Sequence, residues 1–248
     1  MFVRALLLFS ANRSSLISLA RVAFMPSVNL LPRLLLRFVL GIAVSGAVLF
    51  GSAGSLDYWQ AWAYLTMMFA LGTCASLYLY KRDPRLIELR LQTKEKVPEQ
   101  KLIMKLFKVV FLAVSVVPGL DHRFGWSQVP LWLTVSSFPF VLAAYVSVLW
   151  VMKVNRFASR IIEVQFDQNV ISSGPYRIVR HPLYLGAVIM FLFSALALGS
   201  YWALPAFAMT IPFYVFRLLN EEKVLLRDLH GYSEYCQQTH YHLIPYVW

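Results

Sequence analysis

Residues 174–186 read Gly-Pro-Tyr-Arg-Ile-Val-Arg-His-Pro-Leu-Tyr-Leu-Gly and run from a polar, turn-forming loop into a block that stays apolar to residue 219. That block is too long for one crossing of a bilayer core of about 30 Å and suits two crossings of about 18–20 residues each. Gly199 and Ser200 supply the turn between them. Such a hairpin brings its polar ends together on one side of the membrane: Arg177, Arg180 and His181 at its start, Arg217, Asn220, Glu221 and Glu222 at its finish. Pro182 suits a first helical position, because its missing N–H would be unpaired there anyway. His181 then stands at the helix mouth, where free backbone N–H groups and a partial positive charge favour an anion. The adjacent Glu221 and Glu222 sit near the negative end of a helix dipole and call for a cation. Lys223 is the neighbouring choice; the ammonium of a bound ligand is the other. Arg and His at a membrane edge also serve as headgroup anchors, so both readings stay open on these residues alone.

Outward from this hairpin the chain is a membrane protein throughout. It has 248 residues, 59% of them hydrophobic, and a mean hydropathy of +0.60, which excludes an ordinary soluble globule. Further spans are expected at residues 34–53, from Trp59 to about Tyr80, at 106–120 (short, with Pro118 inside) and at 129–152. Asp57, Tyr58, Trp59 and Trp62 read as a headgroup-level belt. The formal net charge is +11, but its carriers lie between spans. Every Lys and Arg except Arg123 falls near a terminus, in 81–108 or in 153–180, so nucleic acid is not an expected partner. That asymmetry predicts an all-α polytopic bundle of five to six transmembrane helices, with both termini and the 174–222 cluster cytoplasmic. Residues 1–32, rich in Arg and Ser and free of acids, read as an N-terminal extension outside the fold, with Met25 as an alternative start. Residues 33–152 form a four-span region and 153–248 a C-terminal one. Cys74 and Cys236 stand in unlike settings and suggest neither disulfide nor metal site. The tail forms an amphipathic helix that ends at Gly231 in a left-handed cap; Tyr232, Tyr235, Tyr241 and Tyr246 after it are either pocket-lining or interfacial.

The pattern Gly174-Pro-Tyr-x-x-x-Arg-His-Pro-x-Tyr-x-Gly186, then Glu221-Glu222, Leu225, Gly231-x-x-x-Tyr235 and Pro245, resembles the isoprenylcysteine carboxyl methyltransferase family over about residues 150–248. The resemblance implies an integral membrane methyltransferase with S-adenosylmethionine as cofactor, a lipophilic acceptor and the bilayer as surroundings. It makes 153–248 the catalytic region. Cofactor contacts are implied from Tyr176, His181, Pro182, Leu183 and Tyr184, from Glu222 with Glu221, and from Gln165, Gln168, Asn169, Val170 and Ile171. No metal is implied. The family's substrate-holding Arg falls at Leu218, with Arg217 beside it, so Arg217 and Arg180 are the candidate catalytic guanidiniums for orienting a carboxylate acceptor. A carboxylate is already ionised and needs positioning rather than a base; a phospholipid or other amine would first have to lose a proton. Membrane sterol reductases carry a similar Arg-His-Pro stretch, which leaves a nicotinamide-dependent reductase as a further alternative. A non-catalytic scaffold or transporter gains no support from any intramembrane charge line.

Overall fold

The computed structural model describes residues 30–92, 95 and 98–248, and they are all-helical. The extension expected at 1–32 lies outside them except for residues 30–32, which open the first helix. That helix, α1, is Leu30–Ala53; α2 is Trp59–Arg82, α3 Pro84–Leu91, α4 Pro98–Phe124 and α5 Leu131–Val154. A 3₁₀ turn at Gly174–Arg177 precedes α6 (Pro182–Ala197), α7 (Ala203–Ala208), α8 (Ile211–Asp228) and α9 (Tyr232–Gln238). Among the described residues, five stretches are long and apolar enough to cross a membrane: α1, α2, α4, α5 and the α7–α8 run. Leu36, Val39, Val44, Trp132, Val135 and Phe140 stand exposed on them, as lipid-facing side chains do.

Three expectations need correction. The third span is not short, because α4 begins at Pro98 rather than near Leu106 and carries Lys101, Lys105 and Lys108 within its first turns. Long basic side chains can reach back to the headgroups while their stems stay on the apolar surface. The 182–219 block does not divide evenly: α6 has 16 residues, about 24 Å at 1.5 Å per residue, and the return path is broken between Ala208 and Ile211. Tyr58 is not part of an interfacial belt. It is 1% exposed, and its hydroxyl donates to Leu198 O at 2.6 Å, whereas Trp59 and Trp62 are exposed.

Local chemistry explains the ends of these helices. Asp83 caps α3 by accepting from Leu86 N at 3.1 Å, with Pro84 at the first position. Leu86, Ile87 and Leu89 are buried, so part of the charged 81–108 segment packs inward against Leu79 and Met152. α5 lies along α6, and α1 along α4 and α2. At the end of the bundle remote from the Arg-His-Pro stretch, Asp121 ties two loops together. Its carboxylate accepts from Ser127 N at 2.7 Å, from Ser127 Oγ at 2.5 Å and from Ser200 Oγ. Asp121→Ala would strand these donors in a buried place, at a cost of about 1–3 kcal/mol. A lowered midpoint in detergent thermal melts is the expected result.

Candidate active site

The hairpin closes as its sequence requires. Pro182 starts α6, His181 is its N-cap residue, and the finish of α8 returns to the same end. Between them, segment 155–171 and α9 enclose a cleft of about 900 Å³ counted to its open mouth. Gln168, Asn169, Val170 and Ile171 form one wall; Tyr176, Arg180, His181, Pro182, Leu183 and Tyr184 form the second; Arg217 and Glu221 face them from α8. The structure thus gathers twelve of the predicted site residues around one space. Gln165 and Glu222 stand outside it. Gln165 shapes the loop instead, its N donating to Gln168 Oε1 at 3.0 Å and its Nε2 to Phe157 O at 3.3 Å. A bidentate pair from Arg85 to Asp167, at 2.9 and 2.8 Å, pins the same loop to α3.

Glu222 is 7% exposed and is the hub of a buried charge cluster. Oε1 accepts from Arg180 Nη1 at 2.9 Å and from His181 Nε2 at 3.2 Å; Oε2 lies 2.9 Å from His242 Nε2. The cation the sequence argument called for is therefore Arg180, not Lys223. Glu221, which faces the cleft, accepts from the Tyr184 hydroxyl at 2.6 Å. Burial pulls the His242 pKa below its ordinary value against the opposing pull of the Glu222 carboxylate, so this imidazole is neutral at neutral pH.

The tyrosines divide by position. Tyr232 and Tyr235 line the cleft, while Tyr241 and Tyr246 pack on each other with ring centroids 5.3 Å apart. Tyr176 accepts from Asn155 Nδ2 at 2.8 Å, and its carbonyl accepts from the Tyr235 hydroxyl at 2.8 Å. Burial raises the pKa of both phenols, that of Tyr235 to about 12, so neither is a base at neutral pH. The Tyr232 hydroxyl is buried without a well-formed hydrogen bond, with the Cys236 sulfur beside it. Gly231 adopts φ +83° as expected, but it serves as the N-cap of α9, since α8 already ends at Asp228.

A second cavity, of about 980 Å³, opens between α4, α6 and α8. Ile103, Met104, Phe107, Met190, Phe191 and Phe213 give it an apolar wall, and Arg90, Arg160 and Arg217 gather in the same lining. Burial, with Arg160 and Arg217 nearby, lowers the Arg90 pKa. Arg217 donates to Glu95 Oε2 at 3.3 Å, to Gln100 Oε1 at 3.2 Å and to Arg160 O at 2.5 Å. Ser159, Leu183, Tyr184 and Arg217 border both cavities. Leu218, the position where the family's substrate Arg falls, is fully buried against Tyr184 and Leu243.

Residues 132–231 match the family model described as phospholipid methyltransferase. The chain resembles that family. Its members are integral membrane methyltransferases related to the isoprenylcysteine carboxyl methyltransferases, so the likeness read from the sequence is borne out. The match takes in every predicted site residue. A shorter likeness, 34% identical over 87 residues, is to the Delta(14)-sterol reductase TM7SF2 of Mus musculus; it covers 33% of this chain and 20% of that protein. The chain thus spans about a fifth of the length of that curated relative. The site extends past the matched stretch: His242, which holds Glu222, and α4, which walls the second cavity, both lie outside 132–231. No local pattern marked His242, which is 20 residues from its partner.

Proposed function

We propose that the chain is an S-adenosylmethionine-dependent methyltransferase of the membrane, acting on a lipophilic acceptor with an anionic group, a carboxylate as in isoprenylcysteine O-methylation. The observation that carries this reading is the pair of cavities that share Ser159, Leu183, Tyr184 and Arg217 as a common border. One is lined by polar and apolar groups in comparable measure. The other is apolar, lies between helices and has three guanidiniums in its lining.

The residues of the open cleft suit a zwitterionic, sulfonium-bearing donor. Glu221 offers a carboxylate to a cationic end. Leu183, in the first turn of α6, carries a backbone N–H with no intrahelical acceptor, which suits a ligand carboxylate. The buried Tyr232 hydroxyl lacks a well-formed hydrogen bond. S-adenosylmethionine, when bound, supplies an electrophilic methyl group. Arg217, braced by Glu95, Gln100 and the Arg160 carbonyl, orients the acceptor carboxylate, and the apolar wall keeps water away. No base is required for an ionised acceptor. The distribution of Lys and Arg supports a cytoplasmic site and cytoplasmic termini.

Arg217→Leu tests the assignment. With a prenylated cysteine analogue as acceptor, kcat/KM is expected to fall by about 10–100-fold, since a hydrogen bond to a charged group is worth about 1.5–3 kcal/mol. Donor affinity, measured in parallel, should fall by less, since Arg217 only borders the donor cleft. Undiminished carboxylate methylation in this variant would refute the role given to Arg217. The family description favours a second reading, N-methylation of a phospholipid amine, for which Glu221 is the cleft-facing base. Label from methyl-labelled donor that enters phosphatidylethanolamine and not the prenylated cysteine would favour it. A nicotinamide-dependent reductase has less support, because Glu221 would repel a pyrophosphate in this cleft.

A further inference from the structure

Arg180, His181 and His242, the partners of Glu222, all come from outside its own helix. Arg180 and His181 engage only Oε1 of its carboxylate, which leaves Oε2 to be satisfied by another buried partner. The other oxygen belongs to His242. We propose that His242 is a positioning residue of the methyl-donor site, and that Trp248 in turn positions His242. The inference rests on the donor reading given under Proposed function.

Segment 241–248 is built around this contact. Arg180 N donates to Tyr241 O at 2.9 Å and His181 N to His242 O at 3.0 Å, so two residues of the segment run alongside the two that precede α6. Leu243 is 3% exposed and joins Tyr184 and Leu218 in one apolar cluster. The chain then turns back, with Leu243 N and Ile244 N donating to Trp248 O at 3.0 and 3.1 Å. This lays the Trp248 indole on the His242 imidazole, centroids 4.8 Å apart and planes 14° from parallel.

The neighbours of the ring select its tautomer. Nδ1 lies 3.5 Å from Arg180 Nη2, and a guanidinium can only donate. Nδ1 therefore presents its lone pair, and the proton of the neutral ring sits on Nε2, aimed at Glu222 Oε2. Arg180 Nη2 is further fixed by His240 O at 2.7 Å. Glu222 is thus gripped from both sides, and through Oε1 it sets the positions of Arg180 and His181, which line the cleft. His242 itself is not among the lining residues. Its effect on a bound ligand passes through Glu222.

The test is calorimetric binding of S-adenosylhomocysteine to the detergent-purified full chain, with the thermal midpoint of each ligand-free variant measured in parallel. His242→Ala is expected to weaken binding by about 10-fold or more. His242→Gln, which returns an N–H donor near the place of Nε2, is expected to recover most of that loss. Trp248→Ala should weaken binding by a few-fold, and Trp248→Phe, which keeps a ring on the imidazole, should stay near wild type. At saturating donor, the acceptor KM is expected to be unchanged in all four. Wild-type affinity in His242→Ala overturns the proposal. So does an equal loss in His242→Ala and His242→Gln, because only a donor role predicts rescue. No binding by the wild-type chain overturns the donor reading itself and this assignment with it.

Discussion

Glu222→Ala is expected to abolish donor binding, by about 100-fold or more, and to cost about 3–5 kcal/mol of stability. The second figure is that of a buried charge cluster which loses one sign. Arg180 has side-chain exposure of 11% and His181 of 4%, and with His242 they converge on this one carboxylate. Without it a guanidinium is left in a desolvated place, and the imidazoles lose the acceptor of their N–H groups. Binding falls with stability, because Arg180 and His181 also wall the cleft. Glu222→Gln separates the effects: it keeps the volume and one acceptor oxygen, so it should melt closer to wild type and still bind poorly. Thermal melts and calorimetry on both variants give the answer. An alanine variant that melts and binds like wild type would remove Glu222 from the site.

Gly119→Ala is expected to be the most damaging small change in the membrane region. A Cβ there would meet Ser52 Oγ and would lie 2.6 Å from Leu49 O and 2.9 Å from Ala53 N. Two of these are backbone atoms of α1, so no side-chain rotation relieves the clash and the helices must separate. Small residues let membrane helices approach this closely, and overpacking typically costs about 1–3 kcal/mol and occasionally more. We expect about 3 kcal/mol for Gly119→Ala, read as a lowered midpoint of detergent-induced unfolding. Gly41→Ala is the control, since nothing lies within 4 Å of its added Cβ. If the two variants unfold alike, the close crossing of α1 and α4 is wrong.

What the sequence made legible was local or periodic. Pro182 as a helix start, His181 at its mouth, the left-handed Gly231 and the apolar spans all follow from one residue's backbone preference or from a run of hydropathy. The joining of the two charged ends also followed, from the length of the block and its Gly-Ser turn. Partners chosen in three dimensions were hidden. Lys223 is the nearest cation to Glu222 along the chain, yet Arg180 and two His reach it from 42, 41 and 20 residues away. The start of α4 was misplaced because Lys101, Lys105 and Lys108 read as loop, though charge at a helix end near the headgroups does not stop a helix. Tyr58 read as an interfacial ring because its neighbours Trp59 and Trp62 are such rings; its buried bond to Leu198 O depends on a loop 140 residues on.

The border shared by the two cavities sets a limit on how this chemistry could be transplanted. Arg217 lies within the stretch that matches the family model, but Glu95 and Gln100, which brace it, precede that stretch, as do Ile103, Met104 and Phe107 of the apolar wall. On the reading proposed above, a chimera that borrowed residues 132–231 alone would lose His242 from the donor side and the bracing of the Arg217 guanidinium from the acceptor side. The smallest portable unit must begin ahead of α4, so diversification of acceptor choice is open to change in helices that carry no recognisable motif.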